Sequence, residues 1–191
     1  ELPFEIIEIG AVKLDADRKY VDSFHALIAP QVYHSLHFVT KDLINVTMKE
    51  LREGKRYEEA VVEFLEWCGE DYIFCTWGSM DLTELQRNNR FYNITYKFPY
   101  PFNYYDLQKS YSLCYDDGRS RVSLETAIEE MGIEKEDSFH SAYNDAKYTA
   151  KIMSLMDFNK VKIYTSIDTY VIPRNRKEEI SVNYGTYGKF I

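Results

Sequence analysis

The chain divides into short apolar runs and longer stretches in which apolar residues recur every three or four positions. Residues 4–14, FEIIEIGAVKL, are apolar and rich in branched side chains, which predicts a β-strand. Residues 21–30, VDSFHALIAP, alternate well enough to be its antiparallel partner, and residues 15–18, DADR, supply the turn. The chain is therefore predicted to open with a β-hairpin.

Helical spacing and capping residues predict a series of helices further along the chain. Thr47 and Glu50 have capping-box spacing, Ser123 is a suitable N-cap, and Gly132 suits the left-handed position that ends a helix. The longest predicted helix has one apolar stripe: Ala142, Ala146, Thr149, Ala150, Met153 and Met156. The predicted helices cover residues 48–54, 57–69, 80–89, 124–131 and 141–156.

Two further strands are predicted between these helices. Residues 71–77, DYIFCTW, form a nearly continuous apolar run, typical of a strand covered on both faces in a parallel sheet. Residues 100–111 predict a strand that runs into a helix near Asp106. Alternating strands and helices predict an α/β layered domain, with residues 1–157 as its core and residues 158–191 as an extension packed on or flanking that core.

Composition places the chain among ordinary globular proteins. It has 191 residues, of which 45% are hydrophobic, and no apolar run approaches the roughly 20 residues that span a bilayer, so no membrane partner is predicted. The first residue is Glu, so we expect further residues upstream of it. Three cysteines without paired spacing favour free thiols in a reducing cytoplasm: Cys68, Cys75 and Cys114. The net charge of −8 means that any nucleic acid must be held locally, through metal ions or a few placed cations.

Three residues are candidates for chemistry. Asp81 follows the strand at 71–77, His140 precedes the last helix, and Asp145 lies inside that helix, beside its apolar stripe. Carboxylate oxygens suit hard divalent cations, and a histidine with a pKa of about 6.5 can take a proton from water. Each also has a structural alternative: Asp81 as a helix N-terminal charge, His140 as a partner of backbone groups, and Asp145 as a polar residue at the edge of the stripe.

The surrounding sequence resembles the DnaQ-like 3′–5′ exonucleases of the DEDDh group, nearest the branch of the histone-mRNA 3′ exonuclease and the KapD proteins. Three stretches carry the resemblance: PFEIIEIGAVKLD at 3–15, FCTWGSMDLTELQRN at 74–88 and FHSAYNDAKYTAKIM at 139–153. It implies a ribonuclease H-like mixed sheet flanked by helices. It also implies that Asp81 and Asp145 hold two divalent ions, Mg²⁺ or Mn²⁺, and that His140 is the general base.

The resemblance also implies two acidic residues that this sequence does not show in place. In the family they form a DxE motif on a strand immediately upstream of the strand at 4–14, so we expect this first strand to be missing from the 191 residues. Glu5 or Glu8 would have to face the cleft to substitute, and we expect both on solvated or edge positions. The 191 residues alone are then expected to bind magnesium poorly and to be nearly inactive.

The leading hypothesis is a 3′–5′ exonuclease that acts on the 3′ ends of single-stranded nucleic acid, RNA rather than DNA. Trp77, Met80 and Phe139 could contact the terminal nucleotides, although core packing is the alternative for each. A catalytically inactive module of the same fold, binding nucleic acid or a protein partner, is the second hypothesis. A hydrolase of small phosphate compounds is the third.

Overall fold

The computed structural model describes residues 2–36, 40, 41, 44, 46–94, 101–135 and 141–166. Strands β1 (Glu8–Leu14) and β2 (Tyr20–Leu27) form the predicted antiparallel hairpin. The Arg18 backbone has a φ of 63°, in the left-handed region, and its N–H donates to the Asp15 carbonyl to close the turn. The hairpin and its turn are therefore confirmed.

Strand β1 begins four residues later than predicted. At residues 4–6 the backbone is hydrogen-bonded to the Asn88 side chain and not to a neighbouring strand. The Asn88 amide accepts from the Ile6 N–H at 3.1 Å and donates to the Phe4 carbonyl at 3.0 Å. Apolar spacing reports which side chains are buried, but it does not report which partner the backbone finds.

The helices follow the predicted positions closely. Thr47 and Glu50 form the predicted capping box, and Ser123 Oγ accepts from the Thr126 N–H at the start of the fifth helix. The helices whose bounds lie within the described residues are α1 (Met48–Arg52), α2 (Tyr57–Cys68), α3 (Met80–Phe91), α4 (Leu107–Tyr115), α5 (Leu124–Glu130), α6 (Ala142–Leu155) and a short 3₁₀ helix (Phe158–Lys160).

The described strands form two sheets. Strand β3 (Phe74–Thr76) pairs in parallel with β4 (Phe102–Asp106), and β4 pairs antiparallel with β5 (Ile163–Ser166). The two strands β3 and β4 were predicted, as was a parallel sheet for the segment that contains β3, and β5 comes from the predicted extension. The division of the chain at residue 157 stays a prediction.

Two apolar clusters support these sheets. The first joins the hairpin, α2, α3 and β3, and the second joins α4, α5 and α6. Cys68 and Cys75 are free thiols partly buried beside these clusters, and burial raises the pKa of each thiol to about 12. Among the described residues, no helix combines the length and the apolar character that a membrane crossing requires.

The hairpin also holds the C-terminal end of α6. The Arg18 guanidinium donates to the carbonyls of Met153 and Met156, at 3.1 and 2.6 Å, and lies over the Phe158 ring. The last carbonyls of a helix lack intrahelical donors and carry partial negative charge, so a cation placed there stabilises the helix.

Replacing Arg18 by Ala is expected to lower the free energy of unfolding by about 1–2 kcal/mol, because two carbonyls at the end of α6 lose a charged donor. Urea unfolding followed by circular dichroism measures the change. Arg119→Ala, on an exposed loop, is the control and should change it by less than about 0.5 kcal/mol. Equal effects of the two substitutions would contradict the capping role of Arg18.

Candidate active site

The first candidate carboxylate follows the end of β3. Gly78 has a φ of 96°, which a residue with a side chain adopts only with strain, and this turn leads directly into α3. Asp81 lies in the first turn of α3 and is only 8% exposed. Its burial is more than a surface helix-terminal charge requires.

The second candidate carboxylate lies in the first turn of α6. Asp145 is 8% exposed, so the prediction that it points at or beside the core is confirmed. Its N–H donates to the Ser141 carbonyl at 3.0 Å, the first bond of the helix ladder. A close approach of α6 to β1 fixes this turn, because a Cβ placed on Gly10 would lie 2.2 Å from the Tyr143 nitrogen.

The structure buries both carboxylates at helix starts, but the meeting of the whole predicted site in one pocket stays a prediction. His140 and Phe139 lie outside the described residues. Carboxylate oxygens have the right chemistry for a hard divalent ion. Across residues 2–36, 46–94, 101–135 and 141–166, however, no three His, Cys, Asp or Glu side chains cluster as a metal site requires.

Glu8 is the first residue of β1, an edge position of its strand, but its carboxylate is buried, so the solvated position that was the other expectation is wrong. It is 8% exposed, and its Oε1 lies 2.9 Å from both His25 Nε2 and Ser141 Oγ. Burial acts to raise the pKa of Glu8, but hydrogen bonds from His25, the Ala142 backbone and Ser141 outweigh it and hold the pKa below its usual value. Gly10, two residues along on the same face, was the sequence signal for a closely packed neighbour.

The Glu5 carboxylate likewise accepts hydrogen bonds from protein donors. Its carboxylate accepts from the backbone N–H groups of Gln31, Val32 and Tyr33, and from the Tyr92 hydroxyl at 2.7 Å. Glu5 is only partly buried and precedes β1, so the expected solvated or edge position stays a prediction for this residue. Neither glutamate is arranged as a free ligand for a metal ion.

The described aromatic and apolar candidates differ in exposure. Trp77 is partly buried, donates its indole N–H to the Val122 carbonyl at 3.0 Å, and packs against Tyr111 at 5.7 Å between ring centroids. These contacts agree with core packing, which was the alternative to substrate contact for Trp77. Met80, at the start of α3, is 37% exposed. Contact of Trp77, Met80 or Phe139 with substrate stays a prediction.

Asp106 is a partly buried acid to which sequence reasoning assigned no chemistry. It ends β4, pairs in register with Thr76 of β3, and accepts from the Lys109 N–H at 2.9 Å as the N-cap of α4. Burial raises the pKa of Asp106. A satisfied helix cap accounts for its position.

Comparison with known sequences decides the family. The profile of an exonuclease family, RNase_T, matches residues 2–153. The chain belongs to this exonuclease family. The matched range includes Asp81, His140 and Asp145.

Relatives of this exonuclease-family chain include the probable 3′-5′ exonuclease KapD of Bacillus subtilis, 31% identical over 82% of this chain and 75% of that protein. The 3′-5′ exoribonuclease 1 of Rattus norvegicus is 26% identical over 80% of this chain. The match covers 46% of the rat protein, so the chain spans less than half the length of that relative.

Solved structures give the fold of this exonuclease-family chain. The nuclease domain of 3′hExo, a DEDDh family member bound to rAMP, superposes with a TM-score of 0.74 at 22% identity, over 84% of this chain and 85% of that one. A solved structure that shows 3′-end specific recognition of the histone mRNA stem-loop by a 3′-exonuclease superposes with a TM-score of 0.67 at 14% identity, over 96% of each chain. The predicted family and the ribonuclease H-like α/β fold are both confirmed.

Proposed function

We propose that this protein is a 3′–5′ exonuclease of single-stranded nucleic acid, with RNA preferred over DNA. The observation that carries the proposal is the burial of Asp81 and Asp145, each in the first turn of its helix, inside the range matched by the exonuclease family. The preference for RNA follows the relatives described as exoribonucleases. Exonucleases of the DEDDh group use divalent metal ions in general.

Asp81 and Asp145 would hold two divalent ions, Mg²⁺ or Mn²⁺, together with two further carboxylates. The ions would orient the terminal phosphate and offset the charge that develops on the leaving 3′ oxygen. His140 would accept the proton of the attacking water. Met80, exposed beside Asp81, would offer an apolar surface to the terminal nucleotide, with Trp77 and Phe139 nearby in the proposed arrangement.

A cavity between the two sheets supports the need for a further strand. The Ile28 N–H donates to the Ile7 carbonyl. Successive residues of an antiparallel strand point their backbone groups alternately toward and away from the partner strand, so those of Gly10 and Val12 point away from β2. On that side of β1 lies a cavity of about 420 Å³, which is lined by Ala11–Leu14 of β1 and by Phe74 and Cys75 of β3. Helix α2 contributes Phe64, Trp67 and Cys68 to its lining, and α6 contributes Thr149, Ala150 and Met153.

These boundaries suit an added strand that joins the sheets. The edges of β1 and β3 that border the cavity would supply backbone hydrogen bonds, and helices on the two faces supply apolar contacts. A strand carrying the family's DxE motif in this cavity would add two carboxylates to the sheet between β1 and β3. This is the arrangement that we propose for the active protein.

A second candidate function is a binding module without catalysis. It is favoured by the lack of a metal-binding cluster of three acids or histidines in the described parts of the chain, and by the engagement of Glu5 and Glu8 with protein donors. Such a module would bind nucleic acid or a protein partner through the same fold.

Single-stranded RNA with a 5′ label tests the proposal. The 191-residue chain and the longest protein that its gene encodes are compared, each with Mg²⁺ and with EDTA, on RNA and DNA of equal sequence. We expect the longer protein to shorten RNA from its 3′ end with release of nucleoside monophosphates. RNA binding without metal-dependent shortening would favour the binding module, and faster hydrolysis of mononucleotides than of oligonucleotides would favour a hydrolase of small phosphate compounds.

A further inference from the structure

A carboxylate from another element lies at the N-terminus of α6. Ser141 occupies the N-cap position, but its side chain makes no capping bond to the helix. Glu8 of β1 instead accepts from Ser141 Oγ at 2.9 Å, and interaction with the Ala142 backbone helps to lower the pKa of Glu8. The first N–H groups of a helix lack intrahelical acceptors and favour a negative charge, so the Glu8 carboxylate is placed to stabilise the start of this helix.

This cap is linked directly to the residues proposed for catalysis. The Ser141 hydroxyl donates a hydrogen bond to Glu8, and the Ser141 carbonyl accepts one from the Asp145 N–H, so Ser141 is hydrogen-bonded to both acidic residues. Ser141 also follows His140 immediately in the sequence. Movement of the peptide at Ser141 would therefore displace the backbone on both sides of it.

Strand β2 holds the same turn from a second direction. The His25 ring, 2.9 Å from Glu8 through Nε2, packs against the Tyr143 ring at 5.5 Å between centroids. The Ser23 hydroxyl lies 3.2 Å from the Tyr143 hydroxyl. The first turn of α6 is thus held by both strands of the hairpin.

We propose that Glu8 is a positioning residue, which caps α6 from β1 and so fixes the peptide between the proposed base His140 and the proposed metal ligand Asp145. This inference rests on the proposed exonuclease function. Glu8 acts through Ser141 and not as a metal ligand, because its buried carboxylate already accepts hydrogen bonds from Ser141 and His25. A carboxylate occupied in this way orients a helix instead of an ion.

Hydrogen exchange tests the cap without any need for activity. In Glu8→Ala, exchange of the amides at residues 145–148 is expected to rise about fivefold, the usual effect of losing a helix cap. Exchange in α2 should stay unchanged. Glu8→Gln, which keeps an acceptor oxygen, should restore part of the protection. Glu63→Ala, on the exposed face of α2, is the matched control and should leave α6 unaffected.

Catalysis tests the positioning. In the active protein, Glu8→Ala is expected to lower kcat about fivefold at unchanged KM, with partial recovery in Glu8→Gln. Unchanged exchange in α6, a rise throughout the protein, or local fraying with unchanged kcat would each overturn the inference. If the parent protein shows no nuclease activity, the proposed function fails separately, and Mn²⁺ binding replaces kcat: about fivefold weaker binding in Glu8→Ala supports positioning, and unchanged binding overturns it.

Discussion

Replacing Asp145 by Asn is expected to lower the magnesium-dependent shortening of RNA by more than about 100-fold in the longest protein that the gene encodes. Asn has nearly the same shape as Asp and keeps one acceptor oxygen, but it lacks the negative charge that a hard divalent ion requires. Asp145 is nearly buried in the first turn of α6, so water cannot fully replace the lost carboxylate. Initial rates of product release, measured over a range of Mg²⁺ concentrations, give the loss.

Matched substitutions separate a ligand from a structural residue. Asp17→Asn, in the exposed hairpin turn, should leave the rate unchanged. Asp81→Asn should cause a loss similar to that of Asp145→Asn, and the double variant should be little worse than either single variant, because residues that act as one unit are not additive. Thermal unfolding checks that each variant folds. Full activity of Asp145→Asn, or independent additive losses, would refute the proposed metal site.

The helices were predictable from the sequence because their determinants are local. The Thr47 and Glu50 capping box and the Ser123 cap involve residues three apart, so the sequence contains both partners. The stripe of α6 likewise gave the burial of Asp145, since residues three and four apart share a face. Where the residues that determine an element lie within one helical turn of each other, their spacing in the sequence is sufficient to predict that element.

The errors came from contacts between distant segments. Strand β1 starts later than predicted because the Asn88 side chain, on α3, is hydrogen-bonded to the backbone of residues 4–6. Glu8 is buried because α6, which starts more than 130 residues later, begins over its face of β1. Period-two alternation indicates which residues share a face of a strand, but not what covers that face. The roles of Asp81, His140 and Asp145 came from family resemblance, and spacing would not have supplied them.

Replacing Gly10 by Ala is expected to lower the free energy of unfolding by about 3 kcal/mol or more, at the upper end of what overpacking usually costs. The added Cβ would lie 2.2 Å from the Tyr143 nitrogen and 2.4 Å from the Ala142 carbonyl carbon. These are backbone atoms at the start of α6, so no side chain can rotate away to make room. Either α6 moves off β1 or the hairpin distorts, and both break the contacts of Glu8. Denaturant unfolding at equilibrium measures the cost.

Gly132→Ala is the control that separates crowding from backbone conformation. Gly132 has a φ of 66°, but a Cβ there would meet no atom within 4 Å, so its cost should be only the roughly 1–2 kcal/mol of a left-handed residue. Gly10→Ala should cost more than this although its own backbone φ is not in that region. It should also speed amide exchange at residues 145–148, whereas Gly132→Ala should not. If Gly10→Ala costs no more than Gly132→Ala, the close contact of β1 with α6 does not hold the first turn of that helix, and Asp145 must be positioned by other contacts.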